Sequence, residues 1–124
     1  MKGQELIETY PKATGIVKDC IINKIRKDFS ELDIDDKMFL TNTINRVDSL
    51  LINMIENSPH SLFETFDDNG IYISIVVRSS KDGVLFNYRI VPRDKTNSSR
   101  SSKDRKTIEY YAIEDAFEIL NNTL

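Results

Sequence analysis

Apolar residues in the first quarter of the chain recur at three- and four-residue steps, the spacing of one helical face. Pro11 suits the first turn of a helix, where its missing N–H would have no partner. It also separates that helix from a short segment around Leu6, Ile7 and Tyr10. The pattern predicts an amphipathic helix over 11–32. Its apolar face would hold Ala13, Ile16, Val17, Cys20, Ile21, Ile25, Phe29 and Leu32.

A second helical stripe follows and predicts a helix that begins near Asp35 or Asp36, whose carboxylates suit a helix N-terminus. The helix should end near Asn57, because Pro59 disfavours helical geometry at Ser58. A short link over 30–34 then folds the two helices into a hairpin. The second stripe consists of Leu40, Ile44, Val47, Leu51, Met54 and Ile55, widened by Phe39 and Leu50.

The apolar period changes to two in the middle of the chain, which predicts two β-strands over 71–78 and 84–91. A connection with an even number of residues, such as Ser80 to Gly83, pairs odd residues of the first strand with even residues of the second. Both apolar series then share one face, whereas an odd connection would bury Arg89 or expose the isoleucines. The apolar series are Ile71, Ile73, Ile75, Val77 and Val84, Phe86, Tyr88, Ile90.

Two segments are open to alternative interpretations. Residues 62–66 precede the turn signal Asp68-Asn69-Gly70 and suit a further strand, but Ser58-Pro59 equally suits the start of a short helix. A C-terminal helix is predicted from about Ala112, and residues 108–111 are either its first turn or a final strand. The fold expected is α+β in one domain, 1–124: an N-terminal helical hairpin, an antiparallel meander of two to four strands, and a C-terminal helix.

Composition is that of a folded chain, with 40% hydrophobic and 30% charged residues in 124. No apolar run approaches the roughly 20 residues that span a bilayer, and no signal peptide is recognised, so we expect a cytoplasmic protein without membrane contact. Cys20 is the single cysteine and excludes an internal disulfide. Abundant Ile and Asn with little Ala are typical of AT-rich coding DNA, as in a low-GC bacterium or its phages.

Charge is distributed in blocks. Residues 78–106 hold nine Lys or Arg and three Asp or Glu, a net +6, although the whole chain carries −3. Within this block, 92–106 contain no apolar residue except Pro92, which predicts a flexible basic loop. The alternative interpretation is a solvated surface loop without a partner. Candidate residues for binding a partner or nucleic acid are Arg78, Arg89, Arg93, Lys95, Arg100, Lys103, Arg105, Lys106 and the aromatic Tyr72.

Catalytic, cofactor and metal motifs are not found. His60 has no second histidine as a partner, Cys20 lies on an apolar helical face, and no glycine-rich phosphate loop is present. The cluster Asp33, Asp35 and Asp36 lacks the glycine of a calcium loop and suits helix capping better. We therefore expect no catalytic residue, no cofactor and no metal.

The segment from Ser101 to Asn122 resembles the last helix of double-stranded-RNA-binding domains in Arg105-Lys106, Ala112, Ala116 and Ile119-Leu120. The resemblance covers only this short part of the chain, and Tyr110 and Tyr111 depart from the pattern.

Two functions remain. The first is a non-catalytic regulator, inhibitor or accessory subunit that binds a protein, for instance a nucleic-acid enzyme, through its acidic helices and basic loop. The alternative is nucleic-acid binding through the basic segment 78–106. Self-association is a further expectation, either through the half-polar face of the strand pair or through the edge of the last strand, which the sequence leaves unprotected.

Overall fold

The computed structural model describes residues 3–31, 37–91, 95–96 and 100–123 and confirms the α+β class. The boundary residues Asp35 and Asp36 lie outside the described residues, as do residues 92–94, which include Arg93, and 97–99 of the basic loop. The elements are α1 Gly3–Thr9, α2 Pro11–Glu31, α3 Lys37–Asn45, α4 Val47–Asn57, a 3₁₀ turn Pro59–Leu62, α5 Phe63–Asp67, β1 Tyr72–Ser80, β2 Gly83–Val91, β3 Lys95–Thr96 and α6 Arg105–Asn122.

The long helix α2 follows the predicted stripe, with Ala13, Val17 and Ile21 buried. Its N-terminus is capped from a distance. Oδ1 of Asn121, near the end of α6, accepts hydrogen bonds from the backbone N–H groups of Lys12 at 3.0 Å and Ala13 at 3.2 Å. These two bonds satisfy N–H groups that a helix start leaves unpaired, and they tie the start of α2 to the end of α6.

The second predicted helix is two helices, so its expected continuity is wrong. The break falls at Arg46, where φ is −99° and ψ is 11°, and the chain continues as α4. The residues before the break are weak helix formers, since Thr, Asn and β-branched side chains predominate over 41–45. The predicted end at Asn57 is confirmed, and α2 packs against α3 and α4 as a hairpin requires.

Residues 59–67 are helical, which decides against the strand over 62–66. The Asp68-Asn69-Gly70 signal ends α5 rather than opening a hairpin. The N–H of Ile71 bonds to the carbonyl of Phe66, the N–H of Gly70 bonds to that of Asp67, and Gly70 has φ +79°. This is the Schellman arrangement, in which glycine accepts the left-handed conformation at little cost. Phe66 and Ile71 are both buried beside it.

The sheet has the order β1-β2-β3 and is antiparallel throughout. The predicted register is confirmed: Ile73 pairs with Ile90, Ile75 with Tyr88, and Val77 with Phe86. Odd residues of β1 therefore face even residues of β2, and the apolar series share the face that packs against the helices.

The helix α6 is the central element, because none of its residues from Thr107 to Asn121 is exposed. It packs against α2 and α4 as well as β1 and β2. It starts before the predicted Ala112, which makes 108–111 part of the helix rather than a strand. Asp104 fixes this start, as its side chain accepts from the N–H of Lys106 and the hydroxyl of Thr107. No helix among the described residues is both long and apolar enough to cross a bilayer.

Candidate functional site

The outer edge of β1 is an open hydrogen-bonding surface in the described part of the chain. Phe86 exchanges both of its backbone hydrogen bonds with Ser102, so its polar groups point away from β1. Val77 lies opposite Phe86, so the backbone N–H and C=O of Val77 must point away from β2. By the alternation of an antiparallel ladder, the N–H and C=O groups of Ile73, Ile75, Val77 and Ser79 all face outward from this edge. Among the described residues, no backbone group pairs with them.

The opposite edge of the sheet is partly closed. β3 pairs with Arg89 and Ile90, and further along β2 the single bridge joins Phe86 to Ser102. Between these two contacts, the side chain of Asn87 folds back and its Oδ1 accepts the N–H of Tyr88 at 2.7 Å. A two-residue strand and a single bridge leave little edge for another chain, whereas β1 offers nine residues.

The hairpin extends beyond the helices that cover its base. Ile71, Tyr88 and Ile90 are almost completely buried, but Val77 is 58% exposed and Val84 is 48% exposed on the same face. The tip therefore presents apolar side chains to solvent next to the open edge of β1.

The other face of the sheet brings together three of the predicted binding residues. Tyr72, Arg78 and Arg89 all lie on this outer face, as the register requires. Tyr72 is 53% exposed and pairs across the ladder with Val91, which is 42% exposed. The two arginines are exposed as well, so this face combines an aromatic ring with cations.

Arg100, which the sequence places in the flexible basic loop, is bound to the central helix instead. Its guanidinium lies 3.2 Å from Oε1 of Glu114 and 3.6 Å from Oδ1 of Asp115, and it stacks 4.8 Å from the ring centre of Tyr111. Asp115 also accepts the hydroxyl hydrogen of Tyr88. The acidic residues of α6 thus neutralise a cation of the basic block inside the molecule.

The surroundings of Tyr88 and Arg100 raise the pKa of both side chains. Burial, together with the hydrogen bond to Asp115 and its charge, raises the pKa of Tyr88 well above its ordinary value of 10. Burial alone would lower the pKa of Arg100, but Tyr88, Asp115 and Glu114 outweigh it and raise that pKa. The cluster therefore holds a neutral phenol and a charged guanidinium at neutral pH.

The remaining basic candidates have different surroundings, as far as the structure describes them. Arg105 lies 3.4 Å from the buried carboxylate of Glu109, which His60 approaches from the other side at 3.3 Å. Lys103 and Lys106 are exposed. Lys95 belongs to β3, its side chain is not described, and Arg93 lies outside the described residues. Of the predicted set, Arg78, Arg89 and Tyr72 share one face, while Arg100 and Arg105 contact carboxylates.

A groove of about 680 Å³ lies between α2, α4 and α5. Its lining includes the apolar Ile25, Leu50 and Met54. Lys24 and Glu64 also line it, and their charged groups lie 3.8 Å apart. Cys20 lines the groove, and its Sγ accepts a hydrogen bond of 3.5 Å from Nδ2 of Asn69. No group of three or more His, Cys, Asp or Glu side chains within the described ranges is arranged to hold a metal ion.

The open β1 edge was only partly visible in the sequence. The alternation over 71–78 predicts a strand and its buried face, but the strands that neighbour it on either side depend on how 59–67 and 92–102 fold.

Comparison with protein-family models, with curated proteins and with solved structures gives no match to this chain.

Proposed function

We propose that this protein is a non-catalytic binding protein of the cytoplasm, a regulator, inhibitor or accessory subunit, that takes an extended segment of its partner as an additional strand along β1. The observation that carries the proposal is the row of outward backbone groups at Ile73, Ile75, Val77 and Ser79. Strand addition uses such groups for affinity and the flanking side chains for specificity.

The side chains along the edge define the partner segment. An added strand would place alternate residues beside the apolar series of β1, where Val77 is still exposed, and the others beside Ser74, Val76 and Arg78. Arg78, Lys81 and Arg89 outnumber Asp82 on the hairpin. A partner segment that alternates apolar with polar or acidic residues therefore fits this edge best.

Nucleic-acid binding is the second candidate, and the shared outer face of Tyr72, Arg78 and Arg89 favours it. A ring and two cations suit an unstacked base and its phosphates. We place it second because Arg100 and Arg105, two cations of the basic block, contact Glu114, Asp115 and Glu109.

The test uses fluorescein-labelled nine-residue peptides that alternate isoleucine with glutamate or serine, with scrambled peptides of the same composition as controls. Anisotropy titration should show tighter binding of the alternating peptides. At protein concentrations that keep the chain monomeric, amide hydrogen exchange should show new protection at Ile73, Ile75, Val77 and Ser79 when the peptide is added. Equal binding of scrambled peptides, or protection confined to other elements, would overturn the proposal.

A matched pair of variants separates backbone from side chain. Val77→Pro removes an outward N–H that the hairpin does not use, and proline is tolerated at such edge positions. Val77→Ala shortens the same side chain but keeps the N–H. We expect peptide binding to be lost in the proline variant and retained in the alanine variant.

Labelled single- and double-stranded DNA and RNA, titrated across a salt series, test the second candidate. Micromolar binding that weakens steeply with salt and is lost on Arg78→Ser with Arg89→Ser, but not on Lys103→Ser with Lys106→Ser, would favour nucleic acid. If the peptides also fail to bind, nucleic-acid binding replaces the proposal.

A further inference from the structure

We infer that a second copy of this chain occupies the β1 edge when no other partner does, so that two protomers pair β1 with β1 antiparallel about a two-fold axis at Val76. This inference rests on the proposed function, because it uses the same edge. It adds that the β1 edge binds a second copy of the chain in the absence of another partner.

The backbone groups select the register. With Val76 opposite Val76 of the second copy, the outward-facing residues form four pairs: Ile73 meets Ser79 of the other copy, and Ile75 meets Val77, each twice by symmetry. Each such pair exchanges two hydrogen bonds, about eight in all. A shift of two residues either way leaves three pairs within this set. On one side the next residue is Ile71, whose N–H already bonds to Phe66.

The charges select the direction. The hairpin tip carries Arg78, Lys81 and Asp82, whereas Asp67 and Asp68 lie at the base of β1, and all five side chains are exposed. Antiparallel pairing brings the tip of one copy beside the base of the other, so a net positive end meets a negative end. In the same register Arg78 lies opposite Ser74 of the second copy, and no like charges face each other across the two strands.

The exposed apolar surface of the hairpin also suits a second copy of the chain. Val77, 58% exposed, would lie beside Ile75 of the second copy, on the part of the hairpin that the helices leave uncovered. The apolar side chains of β1 belong to odd-numbered residues, and the backbone groups that point outward belong to the same residues. Self-pairing would therefore give these N–H and C=O groups hydrogen-bond partners and would place apolar side chains beside each other in the same register.

Cysteine cross-linking tests the register directly. In a Cys20→Ser background, Val76→Cys puts two thiols opposite each other at the axis, in a pair without mutual hydrogen bonds, where the Cα atoms lie about 4.5 Å apart. That separation suits a disulfide. The control is Arg78→Cys, whose two copies would be displaced by four residues, about 13 Å. We expect mild oxidation to cross-link the first variant into a dimer and not the second.

Charge reversal tests the direction. Light scattering coupled to size exclusion should show a concentration-dependent dimer of the unmodified chain. Asp67→Lys with Asp68→Lys should weaken that dimer about tenfold or more, and adding Arg78→Glu with Lys81→Glu should restore it. Circular dichroism of each variant verifies the fold.

A monomer at all concentrations with no cross-link through Val76→Cys overturns the self-pairing. So does a dimer that persists unchanged in Val77→Pro, because its contacts would lie elsewhere. If such a monomer still binds the alternating peptides, the proposed function stands and only the second copy is excluded. If it binds none of them, both fail.

Discussion

The Tyr88 hydroxyl donates a hydrogen bond to Oδ2 of Asp115, and this bond joins the central strand to the central helix. Tyr88 is the largest side chain that is almost completely buried. The same carboxylate lies near Arg100, so one residue of α6 holds both β2 and the chain that leads back into the helix. These two contacts fix the hairpin to the helices.

Removing the hydroxyl of Tyr88 should destabilise the fold, whereas removing that of Tyr110 should not. Tyr88→Phe removes the bond to Asp115 and should lower the free energy of unfolding by about 1–3 kcal/mol. The hydroxyl of Tyr110 is buried and has no hydrogen-bond partner among the described residues, so Tyr110→Phe should leave stability unchanged or raise it. Urea unfolding of both variants measures the difference. Equal losses in the two would contradict the assigned bonding.

Alkaline pH should destabilise the fold. Burial raises the pKa of Tyr110 to about 12, with Glu114, Glu5 and Glu56 adding to it, and burial also raises that of Tyr88. A raised pKa means that the folded state favours the neutral phenol. This contribution is complete below the unfolded value of about 10 and is lost as pH rises through the folded values.

Urea unfolding between pH 8 and pH 11.5 should show this decline above pH 10, and tyrosinate absorbance at 295 nm follows the ionisation. The variants Tyr88→Phe and Tyr110→Phe should each reduce the slope. A slope that is identical in the double variant and the unmodified protein would refute the assignment.

Arg100→Ala should lower the free energy of unfolding by about 1–3 kcal/mol, because Glu114 and Asp115 lose their cation and Tyr111 loses its stacking partner. Hydrogen exchange at Phe86 and Ser102 should accelerate, since the bridge between them lies next to Arg100 in the chain. The matched control Lys103→Ala alters an exposed side chain and should change stability by no more than about 0.5 kcal/mol. An equal effect of both would show that Arg100 is not specially bound.

Two glycines with open space around them should respond oppositely to alanine. Gly70→Ala should cost about 1–2 kcal/mol, because φ is +79° in the cap of α5. Gly15 lies within α2, and no atom in the described part of the chain would come within 4 Å of an added Cβ, so Gly15→Ala should stabilise by up to about 1 kcal/mol. Thermal unfolding of the two variants gives the sign of each change.

Much of the fold could be predicted because local pattern and final packing agree. The alternation over 71–91 admits only a register that keeps Arg89 out of the core, and Pro11 and Pro59 mark helix boundaries through backbone geometry alone. The segment 59–67 was ambiguous for a physical reason. Its few apolar residues suit a strand or a helix equally, and Phe66 is resolved as helical by its position over Phe117, 5.4 Å away in the core.

Charge was the least predictable property. Arg100 and Arg105 count toward a basic block in the sequence, but their partners Glu114, Asp115 and Glu109 come from the acidic block of α6. A count along the chain cannot anticipate that the two blocks meet across a short connection.

The sequence by itself determined the helical face of α2, the strand pair and its register, because these depend on periodicity and turn chemistry within neighbouring residues. The tertiary structure decided which strand lies at the edge, how far the hairpin projects, and which cations stay exposed. Those properties depend on contacts between segments distant in the chain, such as Asn121 with Ala13 and Tyr88 with Asp115. The candidate binding edge belongs to this second group, since a strand becomes an edge only when no other segment pairs with it.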